Sequence, residues 1–408
     1  MPHVLIVVQN LPVPFDRRVW LECQALASAG YRVSVVCPAA PGDPAEEVRD
    51  GITLLKYRPP ATGRGPIAYA WEYAWSFTAT ARLVLRAGRR HRIDVLQACN
   101  PPDIFWPLAL ALHRRGTSFV FDHHDLCPEL YEAKFPGRRS ALHRVLRSLE
   151  RATFRSADHV ISTNRSYRSI AMARGGKRPD EVTVVRTGPD PERMRPGPPC
   201  PDLRRGRRYL CVYLGVMGPQ DGVDLAVRAA DHVVHRRQRS DISFTFVGSG
   251  EAYDEVVRLR DDLGLDGFVD LPGRLPDREV AQLLSTADVG LCPDPKNALN
   301  DVSTMNKTME YMAYGLPVVA FDLAETRVSA AGAAAYAEPN LVRRFADLVV
   351  ELVDDEPRRR DMAAIGRRRV VDVLAWSRQA PAYVGVFDRL TGGGRSAVPA
   401  ERVGAGRA

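Results

Sequence analysis

The 408-residue sequence has few lysines, scattered cysteines and no long apolar run. No stretch of about 18 uncharged apolar residues occurs, which argues against a membrane-spanning helix. The most apolar long window, residues 66–88, is broken by Glu72, Arg82 and Arg86. The chain enters a strand-like run at once, without the charged-then-apolar layout of a signal peptide, so the expected setting is cytoplasmic. The seven cysteines (Cys23, Cys37, Cys99, Cys127, Cys200, Cys211, Cys292) form no CxxC pair. Several sit inside apolar runs such as RYLCVYLG, where a free cysteine behaves as a small hydrophobe; a reducing compartment and no structural zinc follow. What is present, 45% hydrophobic and 26% charged residues, is the composition of a globular protein and excludes a disordered or fibrous one. At roughly 150 residues per domain the length suggests two or three domains.

Only Lys56, Lys134, Lys177, Lys296 and Lys307 are lysines, so the formal charge of +8 is carried almost entirely by arginine. Residues 1–200 hold 29 Lys+Arg against 19 Asp+Glu, an excess of +10, and the remainder holds 28 against 30, a balance of −2. The excess therefore belongs to the first half. It has two readings: arginine-rich codon usage, or a half that meets an anionic partner such as a lipid headgroup or nucleic acid.

The first half alternates short apolar runs with helical patterns: HVLIVVQN (3–10), a helix opened by Asp16 and stopped by Gly30, YRVSVVCP (31–38), ITLLKY (52–57), a long helix within 67–90, IDVLQAC (93–99), a helix within 103–115 and SFVFDHH (118–124). HVISTN (159–164) and VTVVRTG (182–188) continue it. Continuous apolar strands separated by helices indicate a parallel sheet covered on both faces. The pattern breaks at the proline-rich stretch 189–208, read as a hinge (189–207). A second alternating series runs from RYLCVYLG (208–215) to PVVAFD (317–322). The expected architecture is α/β, two Rossmann-like domains (1–188 and 208–375) with ligands in a cleft between them, beyond the carboxyl ends of the strands. A C-terminal helix (376–390) is expected to return to the first domain, and the tail 391–408 to be disordered.

The second half carries LGVMGPQDGVDLAVRA, FTFVGSGE, VDLPGRLPDREVAQLLSTADVGLCPD and STMNKTMEYMAYGLPVVAFDLAET in that order. This set resembles the nucleotide-sugar-binding half of the family-4 retaining glycosyltransferases of GT-B fold. DRRVWLECQALASAGYRVSVV and FDHHDLCPEL are similar to the family's acceptor-side domain, so the resemblance covers roughly residues 3–390. It implies donor-side roles for Gly215, Gly248, Arg274, Ser303, Thr304, Asn306, Lys307, Glu310 and Glu325. Ser303 to Lys307 lie at the start of a predicted helix, where free amide groups and the helix dipole favour an anion and Lys307 adds a full charge. The alternative for Ser303 or Thr304 is a simple helix cap. Glu310, one turn after Asn306, matches the glutamate that accepts hydrogen bonds from ribose hydroxyls.

Three positions depart from the family pattern. Val302 stands where a first acidic residue is usual, with Asp301 or Asp294 as spatial substitutes. Val216 and Asp221 stand where relatives carry an arginine and a lysine for phosphate charge, which puts more weight on Lys307, with Arg274 second. On the acceptor side the resemblance implies a histidine facing the donor sugar; His124 is favoured, but His123 is its neighbour, and side chains alternate along a strand. His124, Lys307 and Glu310 are the expected catalytic set. Asp16, Arg17, His123 and Asp125 are assigned to the acceptor side, Asp16 with a helix cap as its alternative role.

These readings imply transfer of a sugar from a nucleotide sugar to an acceptor hydroxyl with retained configuration, without a metal or other cofactor. Electrostatic stabilisation of the leaving diphosphate would carry the catalysis. Residues 138–155 place Leu142, Val145, Leu146 and Leu149 on one helical face with arginines elsewhere, a pattern that suits an anionic membrane or equally a helix packed on the sheet. The expected acceptor is a sugar or lipid-linked glycan in cell-envelope polysaccharide assembly, with the protein peripheral on the inner membrane face. The alternatives are a soluble small-molecule acceptor, or a nucleotide-sugar hydrolase or epimerase on the same fold. A nucleic-acid partner is not expected, because no reader motif accompanies the charge.

Overall fold

The computed structural model describes residues 1–60, 66–135 and 141–392. The tail from position 393 and positions 138–140 of the basic segment lie outside the described residues. Fourteen strands among the described residues form two sheets. The first contains β1 (His3–Val7), β2 (Arg32–Pro38), β3 (Glu46–Arg49), β4 (Ile52–Tyr57), β5 (Val95–Cys99), β6 (Ser118–His123), β7 (His159–Ser162) and β8 (Val182–Val184), in the order β3-β4-β2-β1-β5-β6-β7-β8. The second contains β9 (Tyr209–Leu214), β10 (Ile242–Val247), β11 (Val269–Gly273), β12 (Val289–Cys292), β13 (Val318–Phe321) and β14 (Ala334–Ala337), in the order β11-β10-β9-β12-β13-β14.

β1 pairs in parallel with β2 and β5, and all five of its residues are buried, as a strand covered on both faces requires. Two strands escaped the sequence reading. β3, EEVR, is a mostly charged, largely exposed edge strand antiparallel to β4, and charge on an edge is a common guard against further pairing. β14, AAYA, is alanine-rich and lacks the β-branched signal, yet it pairs in parallel with β13.

Contacts divide the chain into two compact units. One comprises Met1–Asp122 and Ser156–Val160 with the chain from Ala380; the other comprises His123–Arg155 and Ile161–Gln379. In the second unit, strand alternation sends Cys211 and Tyr213 into one core with Phe244, Phe246, Phe321 and Phe345, and Leu210 and Val212 into the opposite core with Met309, Tyr311 and Met312. The stretch expected to be a hinge is bonded along this unit. Gly197 N donates to Ser285 Oγ, Cys200 N to Thr286 Oγ1, and Arg367 donates to the carbonyls of Pro191 and Met194. In the first unit, the helix Trp376–Thr391 contributes Tyr383, whose hydroxyl donates to Gln97 on β5 at 2.6 Å. No helix among the described residues is long and apolar enough to cross a membrane.

Candidate functional site

In each sheet the chain reverses its direction of strand addition once, and loops at such a switch point open a crevice beyond the strand ends. In the second sheet the switch lies between β9 and β12. Gly215 follows β9 and Gly248 follows β10, at φ +157° and +147°; a Cβ on Gly248 would stand 1.7 Å from the Gly215 carbonyl oxygen. Only glycine permits this approach. A second approach is nearly as close: a Cβ on Gly222 would lie 2.2 Å from the carbonyl oxygen of Pro293. The loops after β9, β10 and β12 are thereby drawn into one cluster.

Lys307 enters this cluster from the first turn of the helix Asn306–Ala313. Its Nζ donates to Asp294 Oδ1 at 2.7 Å and Oδ2 at 2.9 Å, lies 5.0 Å from the Tyr213 ring centroid, and its Cε is 3.2 Å from where a Gly215 Cβ would be. Burial alone would pull the ammonium pKa down, but Asp294 foremost, then Tyr213, overcomes it and the net direction is up. Of the two carboxylates considered as substitutes at Val302, Asp294 is therefore the one beside Lys307. Asp301 instead accepts from Ala324 N at 2.9 Å. Asp221 completes the group: burial, opposed by Lys307 and reinforced by Asp294, pushes its carboxyl up to about 6.

The helix start excludes the alternative reading of Ser303 or Thr304 as its cap. Met305 holds the cap position and no side chain caps the helix. The Ser303 hydroxyl donates to Leu299 O at 2.7 Å and pairs with Tyr167 Oη at 2.9 Å. Thr304 Oγ1 accepts from Asn164 Nδ2 at 3.0 Å and Arg186 Nη1 at 3.4 Å. Both hydroxyls thus hold the loop in place, and the uncapped amides remain the anion-attracting feature. Asn306 is exposed and Glu310 half-buried on the same helix. Arg274 is exposed just after edge strand β11. Glu325 is 2% exposed, accepts from Ser166 Oγ at 2.7 Å and pairs with Arg186 at 3.3 Å.

The residues assigned to the acceptor side from the sequence are spread more widely. Asp16 caps the helix Arg17–Ser28 by accepting from Val19 N at 3.1 Å, while Arg17 is exposed. His123 is fully buried, its ring 4.9 Å from Phe154 and 5.2 Å from Tyr167, so its placement is that of a core side chain rather than an acceptor-facing one. His124 and Asp125, just past β6, are half-buried. β6 is buried on both faces and ends at His123, so His124 is the first residue beyond the covered strand.

Sequence reasoning passed over four residues that organise these sites. Arg18, next to the expected Arg17, is buried and forms a two-bond pair with Asp122 at 2.7 and 3.1 Å and a 3.0 Å pair with Glu22. Glu22, Cys99 and Asp122 are the one group among the described residues spaced to hold a metal ion, and Arg18 already supplies the positive charge there. Asn164, Tyr167 and Arg186 converge on residues 302–304 from more than 100 positions away. Asn164 had a legible signal: it follows a strand and caps the helix Arg165–Gly175.

Comparison with known proteins adds two family matches. Glycosyltransferase Family 4 matches residues 16–193 and Glycosyl transferases group 1 matches residues 208–355. The chain is 25% identical over 219 residues to the MMP alpha-(1->4)-mannosyltransferase of Mycolicibacterium hassiacum, covering 52% of this chain and 49% of that protein. It is 28% identical over 250 residues to the GDP-mannose-dependent alpha-(1-6)-phosphatidylinositol monomannoside mannosyltransferase of Mycobacterium tuberculosis, covering 59% and 62%. It thus spans about half to three fifths of these relatives' length. Glycogen synthase of Mycobacterium tuberculosis is 25% identical over 403 residues, with 92% and 91% covered. Among solved structures, sucrose-phosphate synthase of Thermosynechococcus elongatus superposes with a TM-score of 0.77 at 16% identity over 96% of this chain and 100% of that one. HepE of Anabaena in complex with UDP-glucose superposes with a TM-score of 0.69 at 15% identity over 95% and 100%. At these identities the structural likeness speaks to the fold.

Proposed function

The chain belongs to the family-4 glycosyltransferases of GT-B fold, and from that premise we propose that it transfers a sugar, with retention, from a nucleotide-sugar donor to an acceptor hydroxyl. The observation that carries the reading is the switch point of the second sheet: glycines that let its loops close on one another, an uncapped helix start, and Lys307 beside it with its side chain 10% exposed. Such a constellation suits a diphosphate leaving group. Amides at Asn306 and Lys307 would accept the growing negative charge, Glu310 one turn on would hold the ribose, and His124 would face the sugar from the acceptor side. The UDP-glucose complex of HepE supports a nucleotide-sugar donor. The residues offered for this site are amides, a lysine and carboxylates already paired, and no step is assigned to a metal.

The acceptor proposed is a lipid-linked glycan at an anionic membrane. Two observations support it. A relative is named for a phosphatidylinositol monomannoside substrate, and the helix Ala141–Ser156 leaves Leu142 and Val145 43% and 50% exposed beside Arg144 and Arg147. The glycogen synthase relative supports a soluble polymer as the alternative acceptor.

The test is calorimetric and thermal-shift binding of UDP-glucose, GDP-mannose and their nucleoside diphosphates, followed by product analysis. The wild type should bind one base series, and Glu310→Ala should weaken it. If no nucleotide stabilises the wild type, the donor reading is wrong. Release of free sugar without acceptor, or an isomerised donor, would point to a hydrolase or epimerase. Failure to float with anionic liposomes at low salt would remove the membrane-bound acceptor and leave the donor reading standing.

A further inference from the structure

We propose that Arg186 is a diphosphate-binding residue of the donor site, held in the ligand-free protein by Glu325 and Thr304. The inference rests on the transferase reading above and names a residue which that reading did not assign.

The charges at the helix start motivate it. Lys307 is matched by Asp294, and Asp221 adds a second carboxylate to the same cluster. An incoming diphosphate would meet a group with no surplus of positive side-chain charge, and amide dipoles amount to about half a charge at a helix end. A further cation has to come from outside the strand-end loops. Arg186 is placed for this. It follows β8, and its Nη1 lies 3.4 Å from the hydroxyl of Thr304, two residues before the helix.

The helix Asn306–Ala313 carries no acidic residue in its first turn and no basic residue of its own in its last. Its carboxyl end is served by Arg367, which donates to Ala313 O at 2.7 Å, as helix electrostatics favour. Its amino end, where cations are disfavoured, has Lys307 in the first turn and Arg186 beside Thr304. Each of these cations already has a carboxylate, Asp294 for Lys307 and Glu325 for Arg186, and the Arg186 pair is the longer of the two.

Arg186 is also loosely engaged. Its guanidinium bonds Thr304 at 3.4 Å and Glu325 at 3.3 Å, against 2.7 and 2.9 Å for the Lys307–Asp294 pair. A guanidinium has five N–H donors in a planar fork that matches phosphate oxygens. With its side chain 11% exposed, its charge acts in a poorly screened environment. Glu325 keeps a separate 2.7 Å bond from Ser166, so it stays anchored when Arg186 turns to a ligand.

The test uses the full chain with GDP, UDP, ADP, inorganic pyrophosphate and the matching nucleosides as calorimetric probes. Arg186→Ala should weaken the best-bound nucleoside diphosphate by roughly tenfold or more, with nucleoside affinity unchanged and Arg186→Lys intermediate. Arg186→Ala with Glu325→Gln relieves the carboxylate left unpaired by the first change and should be no better at binding. Restoration of wild-type affinity in that double variant would assign Arg186 to support of Glu325 and overturn the proposal. Wild-type affinity in Arg186→Ala, or equal loss of nucleoside and diphosphate binding, would overturn it too. A wild type that binds neither nucleoside diphosphates nor pyrophosphate would instead defeat the transferase reading, and this inference with it. Pyrophosphate binding without nucleotide preference would support the Arg186 assignment alone if Arg186→Ala weakens it, and would overturn the assignment if Arg186→Ala leaves it unchanged.

Discussion

The two switch points are built from opposite materials. In the first unit the loops after β1 and β5 read Val8-Gln9-Asn10-Leu11-Pro12-Val13-Pro14-Phe15 and Asn100-Pro101-Pro102-Asp103, with four prolines and no glycine. Prolines stiffen a loop and remove N–H donors. The buried charge there is closed on itself, Arg18 against Asp122 and Glu22, with both carboxylates at 0% exposure. In the second unit the loops after β9 and β10 contain Gly215, Gly218, Gly222, Gly248 and Gly250, and their backbones nearly touch. The glycine-built loops close on one another, with the Gly215 and Gly248 amides donating to Val247 O and Gly273 O, whereas the proline-built ones have fewer N–H donors to pair. The same topology is thus locked by close backbone approach at one switch point and by a buried ion cluster at the other.

The comparison can be broken in four ways, the largest effect first. Arg18→Ala removes the cation paired with two buried carboxylates and should cost about 3–5 kcal/mol of stability in urea unfolding. A cost below about 1 kcal/mol would mean that the first crevice is not closed on its own charge. Gly248→Ala forces a side chain into the Gly215 carbonyl and should cost about 1–3 kcal/mol while abolishing nucleoside diphosphate binding. Gly206→Ala also has a positive φ but faces open space, and it should leave binding intact; equal binding in both would sink the glycine argument.

Asp221 offers a pH test. Its carboxyl pKa is raised from 3.8 to about 6 in the folded protein, so the folded state holds that proton more tightly. Its contribution to stability is then present in acid and is lost as pH rises from about 4 through 6. Asp221→Asn should stabilise the protein by about 2–3 kcal/mol at pH 8 and by nothing measurable near pH 3.5. A pH-independent effect would contradict the buried setting of the carboxylate. The smallest effect is expected for Asp16→Ala, about 1 kcal/mol for a lost helix cap, with donor affinity unchanged and acceptor kinetics telling whether Asp16 has a second role.

The fold was largely legible because parallel strands buried on both faces leave unbroken apolar runs, as in HVLIV and ISFTFV. EEVR and AAYA were not, since an edge strand and an alanine-rich strand carry neither signal. At the site, residues close in sequence could be read together: the glycines after β9 and β10, and Lys307 with Glu310 on one helix. What could not be read is which distant groups would claim the hydroxyls before that helix. Ser303 and Thr304 resemble a cap, yet Tyr167, Asn164 and Arg186 take their hydrogen bonds from 118 to 140 positions away. The same holds for Arg186 with Glu325, 139 apart. Pairings of that span depend on how elements pack, which local pattern does not encode.

The thiol of Cys292 lies at the end of β12 beside the second switch point, its Sγ 3.0 Å from the Asp294 carboxylate that holds Lys307. Burial, with Asp294 beside it, pushes this thiol's pKa far up, which makes it unreactive while the crevice is closed. Five of the seven cysteines are buried, and only Cys127 and Cys200 are partly accessible. In Cys127→Ser/Cys200→Ser protein, the rate at which a thiol reagent reaches Cys292 would serve as a clock for local opening of the strand ends. Slowing of that clock by a bound ligand would report occupancy without any turnover, before the sugar or its acceptor is known.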